Sequence, residues 1–213
     1  MVYAETDYMS LNKYREELCG DRVEIIRNGG TVTMVLADGL GSGVKANILS
    51  TLTAKIIGTM TAEGLPIEEA VATIAQTLPV CSVRHIAYST FSILKVEATG
   101  KASLFQFDNP TAIFLRDARC EDYPAREREV YGKSVYESQF TLRPDDMILL
   151  ISDGVVHAGV GTVYNFGWQL PHVREFVQQS AGPGITARAM AARLCAACRE
   201  LYDGRRGMTP PWP

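Results

Sequence analysis

Two segments of this chain share one pattern, a run of apolar residues closed by aspartate and glycine. Met34-Val35-Leu36-Ala37-Asp38-Gly39 and Ile148-Leu149-Leu150-Ile151-Ser152-Asp153-Gly154 each read as a buried strand ending in Asp-Gly. A carboxylate at the end of a rigid strand is held in place by the core behind it. The glycine allows a sharp turn and lets its own carbonyl approach a ligand. One such pair alone is an ordinary turn signal. Two, both after apolar strands, point to an acidic site. Asp21, in Cys19-Gly20-Asp21 ahead of the stretch Val23–Ile26, is a third candidate. Three carboxylates with a backbone carbonyl form a hard, all-oxygen donor set that suits Mg2+ or Mn2+ rather than Zn2+.

The order of elements around these segments defines the class. The stretch 30–37 reads as a strand, apolar on both faces toward its end, followed by the Gly-rich turn of residues 39–43. Ala46, Leu49, Thr53, Ile56 and Met60 then recur at helical spacing, and Gly64 closes that helix. Pro66 opens a second helix with Glu68 and Glu69 in its first turn and Ile67, Val71, Ile74 and Leu78 as its stripe. From residue 88 to 151 the texture is β, with strands expected at 88–97, 101–107, 111–116, 138–142 and 147–151. A short helix from Pro171 and a longer one carrying Ile185, Ala189, Ala192, Leu194, Ala197 and Leu201 complete the chain. This β, α, antiparallel β, α order predicts an α+β fold with sheets in the middle and helices outside.

Several function classes are excluded on composition and motif. A formal net charge of −3 does not supply the basic surface that nucleic acid requires. The segment Arg126-Glu127-Arg128-Glu129 mixes signs and reads as a solvated loop or strand face. No apolar run reaches the roughly 20 residues of a membrane span, and residues 1–7 lack the features of a signal peptide, so a cytoplasmic location is expected. The Gly-rich turn lacks the Walker spacing, no second βαβ unit follows it, and no Asp-x-Asp stands at a strand end. Cys195-Ala196-Ala197-Cys198 lies in a helical pattern with no second CxxC and reads as two small helix residues. His85, His157 and His172 are scattered.

Gly20-Asp21, Ala37-Asp38-Gly39-Leu40-Gly41-Ser42-Gly43 and Ser152-Asp153-Gly154 resemble the motifs of type 2C metal-dependent protein phosphatases. The closer match is the bacterial branch typified by stage II sporulation protein E and the phosphatases of the stressosome and general-stress pathway. Leu142-Arg143-Pro144-Asp145-Asp146, leading into the second Asp-Gly, matches as well. The resemblance implies one phosphatase domain over residues 1–213, built as a four-layer α/β/β/α sandwich of two antiparallel sheets flanked by helices. It also implies two divalent cations, Mn2+ or Mg2+. In that analogy Asp38 bridges them, the Gly39 carbonyl binds one, Asp153 binds the other, and Asp21 acts through the first metal's shell. The implied partner is a phosphorylated regulatory protein such as an anti-sigma-factor antagonist or stressosome component, with no nucleic acid and no membrane involved.

Two departures stand out. The histidine that eukaryotic relatives carry after the first Asp-Gly is Leu40 here, which leaves protonation of the leaving group to water. The family also ends on another metal-binding Asp leading into a strand. Residues 207–213 instead read Gly-Met-Thr-Pro-Pro-Trp-Pro, which cannot form that strand. Codons for this heptapeptide read two bases later can spell Asp-Asp-Thr-Thr-Val-Ala, so a frame-shifted terminus is the expectation. The alternative is a pseudophosphatase that binds a phosphoprotein with little or no turnover.

Overall fold

The computed structural model describes residues 3–12, 17–41, 43–77 and 89–203. Leu78, Cys81, His85 and the 207–213 terminus lie outside them, as do Ser42 and the first residue of the strand expected at 88–97. The described chain forms two compact units, interleaved in sequence. The first holds Asn12–Asn109 and Tyr123–Pro144, and the second holds Glu5–Leu11, Pro110–Asp122 and the residues from Asp145 onward. Each is an antiparallel sheet with helices, and the fold is α+β as expected.

In the first unit, β1 (Asp21–Asn28), β2 (Thr31–Gly39), β3 (Ser89–Val96) and β4 (Lys101–Phe107) run as a meander of neighbours. The helices α1 (Gly43–Ala62) and α2 (Ile67–Thr77) are inserted between β2 and β3. Val35, Ala37, Phe91, Ile93 and Phe105 face a core completed by Ala54 and Ile57 of α1 and Ile67, Val71 and Ile74 of α2. The buried face of α1 is Ala46, Ser50, Thr53, Ala54, Ile57 and Gly58. Leu49, Ile56 and Met60, which recur with Ala46 and Thr53 at helical spacing, are only half-buried. Small residues win because the helix lies close on the sheet: a side chain at Gly58 would stand 3.3 Å from Ile26 Cδ1. The buried hydroxyls on this face bond their own helix carbonyls, Ser50 to Asn47 O and Thr53 to Leu49 O.

The sheet continues through β8 (Lys133–Thr141) to an edge strand, in the order β1-β2-β3-β4-β8-β7. That edge, β7 (Arg126–Val130), is the mixed-charge segment, and its solvent exposure resolves the sequence reading in favour of a strand. Tyr131 (φ 50°) and Gly132 (φ 73°) form the two-residue turn joining it to β8. Arg128 pairs with Glu137 at 2.7 Å, and the charged outer strand protects the edge from further pairing.

The second unit is a three-stranded sheet of β6 (Arg119–Glu121), β5 (Ile113–Arg116) and β9 (Met147–Leu149), in that order. Its helices are α3 (Asp153–Val156), α4 (Leu170–Ser180) and α5 (Ala187–Tyr202). Pro171 opens α4 as anticipated. Thr186 caps α5 by accepting from Ala189 N–H at 3.1 Å. The core joins Ile113, Leu115, Leu149 and Ile151 to Trp168, Val173, Val177, Met190, Leu194, Cys198 and Leu201. Of the residues read as the last helix's stripe, Leu194 and Leu201 belong to this buried face. The Arg-Pro-Asp-Asp motif has a structural part here. Arg116 makes a bidentate bond to the buried Asp146 at 3.0 and 2.6 Å, and its guanidinium lies 4.9 Å from the Phe114 ring. This ties β5 to the turn that leads into β9.

Candidate active site

Asp21 and Asp38 are brought face to face by strand register. β1 and β2 pair antiparallel with Asp21 opposite Asp38, and β2 pairs with β3 so that Asp38 is opposite Thr90. Directly paired residues project to the same face, so Asp21, Asp38 and Thr90 form one row across the end of the sheet. Strand alternation puts Val35 and Ala37 on the helix side and Asp38 on the other. Asp38 is half-buried and lies inside β2, whose last residue is Gly39.

Gly39 is required by packing. A Cβ there would stand 2.0 Å from Ala46 O and 2.6 Å from Ala46 C, inside the backbone of α1. The same first turn of α1 fixes the approach to Asp21. Asn47 donates Nδ2–H to Cys19 O at 2.8 Å, and Gly39 N–H donates to Gly20 O at 3.2 Å. The helix that follows the Gly-rich turn therefore anchors both acidic positions.

Asp153 belongs to the second unit and has different surroundings. The strand β9 stops at Leu149, and Leu150 to Ser152 continue without ladder pairing, so Asp153 is the first residue of α3 and not the end of a strand. Ser152 precedes it in extended conformation (φ −88°, ψ 171°), Ile151 is buried behind it, and the Asp153 side chain is exposed. Tyr202, the last residue of α5, donates its hydroxyl to Gly154 O at 2.5 Å. The position is thus braced from the far end of the unit.

Beside the acidic row lies a polar chain that sequence reasoning missed. Thr90 donates to Asn109 Oδ1 at 2.8 Å, and Asn109 Nδ2–H donates to Ser92 Oγ at 3.2 Å. Gln106 Nε2–H donates to the same Ser92 Oγ at 3.2 Å, and Tyr123 O–H donates to Gln106 Oε1 at 3.2 Å. Ser92 and Gln106 are buried. The one available signal was the turn Asp108-Asn109-Pro110, which marks a chain reversal but not its partner.

The donor set of the first unit fits a hard cation: two carboxylates on adjacent strands and the backbone carbonyl of the glycine that follows one of them. Among the described residues, no group of three or more His, Cys, Asp or Glu side chains is gathered for a metal. The two thiols of α5 do not compete. Burial pushes the Cys198 thiol up to about 12 and raises that of Cys195 as well, so neither offers a thiolate near neutrality. His172 Nδ1 bonds Trp168 O at 2.8 Å, a local helix-end contact.

The buried thiol has a testable consequence. Its folded pKa lies above the unfolded value, so its contribution is complete below about pH 9 and is lost as pH rises toward 12. Through that window wild-type stability should fall, relative to Cys198→Ala, by about 1.4 kcal/mol per pH unit. Urea midpoints of the two proteins at pH 8 and pH 10 measure the difference. Parallel midpoints would mean that the thiol titrates normally.

Two helix-bearing antiparallel sheets, with paired aspartates at the end of one, have the fold of type 2C phosphatases. Residues 28–207 match the family of stage II sporulation protein E (SpoIIE), and the chain belongs to that family. Asp38 and Asp153 lie within the matched residues and Asp21 lies before them. The phosphatase domain of SpoIIE from Bacillus subtilis, solved with a fragment of its regulatory domain, superposes with a TM-score of 0.72 at 18% identity. That match covers 95% of this chain and 58% of the other. The RsbU and RsbW domains of a Mycobacterium tuberculosis protein give a TM-score of 0.70 at 16% identity, covering 90% of this chain and 54% of that one. This chain therefore spans little more than half the length of either. RsbX, solved in complex with magnesium, gives 0.64 at 19% identity, with 90% and 86% covered. No match was found among curated protein sequences. Among the described residues no helix is long and apolar enough to cross a membrane.

Proposed function

We propose that this chain is a cytoplasmic, metal-dependent serine/threonine protein phosphatase forming one catalytic domain. Its substrate is a phosphorylated regulatory protein, an anti-sigma-factor antagonist or stressosome component. Asp21, Asp38, the Gly39 carbonyl and Asp153 hold two divalent cations, Mn2+ or Mg2+. The observation that carries this reading is the cross-strand register of Asp21 with Asp38, next to a glycine that admits no side chain.

When bound, such cations lower the pKa of an attacking water and screen the charge on the phosphoryl oxygens. The residues of the chain contribute placement. Asp38 is fixed by the strands on either side of it, and Asp21 by the Asn47 and Gly39 bonds to the segment before it. Such pre-positioned acids need no rearrangement as the reaction proceeds. No protein nucleophile is needed in phosphoryl transfer to water.

Hydrolysis of a phosphoserine peptide with and without Mn2+ tests the reading. Turnover should appear with the metal, vanish on chelation and return on re-addition. Saturable peptide binding that ignores metal, with no phosphate released, would instead establish the pseudophosphatase alternative.

A further inference from the structure

We propose that Asn109 is a positioning residue. By taking the Thr90 hydroxyl hydrogen, it leaves Thr90 as an acceptor for the water of a hydrated divalent cation held at the Asp21–Asp38 pair. This rests on the metal-binding reading above and adds to it a group outside the acidic set.

The direction of the polar chain carries the argument. Tyr123 donates to Gln106 Oε1, which turns the Gln106 amide nitrogen toward Ser92. Asn109 also presents its nitrogen to Ser92, so its oxygen faces Thr90. A threonine hydroxyl has a single hydrogen, and the one on Thr90 goes to Asn109 at 2.8 Å. Toward any other neighbour Thr90 can only accept.

That is an unusual state for a hydroxyl beside a carboxylate. Thr90 is the cross-strand neighbour of Asp38 on the face that also carries Asp21. In such a pair the hydroxyl would ordinarily donate to the acid. Here that donation is diverted, and the row presents acceptor oxygens from three adjacent strands. A hydrated cation is complementary to such a row, because its charge suits the carboxylates and its water supplies O–H donors to Thr90. The network is also costly to bury unless complete. It nevertheless shares its sheet face with the buried apolar Leu36, which is paired with Ser92, and with Leu94 and Leu104, where a fully apolar face would serve folding alone.

The test is Mn2+ affinity, read from the paramagnetic resonance signal of free Mn2+, together with metal-free thermal unfolding. It uses the full chain and its Thr90→Val, Thr90→Ser, Asn109→Ala and Asp38→Asn variants. Outer-shell partners of metal sites are worth about 10- to 100-fold in affinity. Thr90→Val and Asn109→Ala should therefore weaken Mn2+ binding by about tenfold, and Thr90→Ser should restore it to within about threefold of wild type. Wild-type affinity in Thr90→Val overturns the inference and leaves the metal site standing. Equal losses in Thr90→Val and Thr90→Ser, tracking a lower metal-free melting temperature, reduce the network to a structural role. Absence in the wild type of any Mn2+ site that Asp38→Asn removes overturns the metal reading, and this inference with it.

Discussion

Asp38→Asn is expected to lower kcat/KM toward a phosphoserine peptide by about a thousandfold or more, and to weaken Mn2+ binding in parallel. The figure follows from the several kcal/mol that metal-borne charge stabilisation contributes to such reactions, at about 1.4 kcal/mol per tenfold in rate. The substitution keeps size and shape, and the half-buried position is held by strand pairs on both sides, so the fold should persist. Stability supplies a second readout of opposite sign. Asp21 and Asp38 are like charges directly opposed across two strands, an arrangement that costs roughly 0.2–1 kcal/mol. Without metal, Asp38→Asn should thus melt at or slightly above the wild-type temperature while being nearly inactive. Full activity in this variant would end the proposal that the acidic pair holds the catalytic cations. A large drop in metal-free melting temperature would show that Asp38 serves folding instead.

Gly39→Ala is expected to destabilise the protein by more than about 3 kcal/mol, or to prevent folding. The added methyl would occupy the backbone of α1 at Ala46, and a helix backbone cannot yield as a flexible side chain can. The helix has little freedom to retreat, because Ala54, Ile57 and Gly58 are buried farther along it. Gly154→Ala provides the contrast. A methyl there meets Tyr202 Oη at 3.6 Å and Ser152 Oγ at 3.8 Å, ordinary contact distances, in the first turn of α3. Its midpoint in urea should stay within about 1 kcal/mol of wild type, since alanine is also the better helix former. If both variants unfold alike, the close approach of α1 to β2 is not what constrains Gly39.

That contrast bears on what a reader of the sequence can see. The two Asp-Gly segments are nearly interchangeable as text, yet one aspartate sits within a paired strand and the other opens a short helix. The apolar run before each depends only on burial, whereas the backbone at its end depends on what packs against it. For Gly39 the neighbour is Ala46 of α1, and for Gly154 it is Tyr202 at the end of α5. The β7–β8 hairpin was only partly legible, with 126–129 open between loop and strand, for another reason. Its outer strand is charged on both faces, so it lacks the alternation by which strands are recognised. The helix positions were legible, but their buried faces were displaced toward small residues wherever close packing on a sheet outweighed hydrophobicity, as at Ser50 and Gly58.

Local chemistry, then, sufficed to nominate Asp21, Asp38, Asp153 and Gly39 and to order most of the strands and helices, and the resemblance of the motifs named the family. Those inferences depend on residue type and short-range spacing, which a linear chain displays directly. Only the tertiary structure set Thr90 beside the Asp21–Asp38 pair and Asn109 behind Thr90. The register of β1 against β2 is fixed locally by the two-residue Gly29-Gly30 turn, whereas that of β2 against β3, which are separated by two helices, is a long-range choice made by the sum of their contacts. No single stretch of the chain records it.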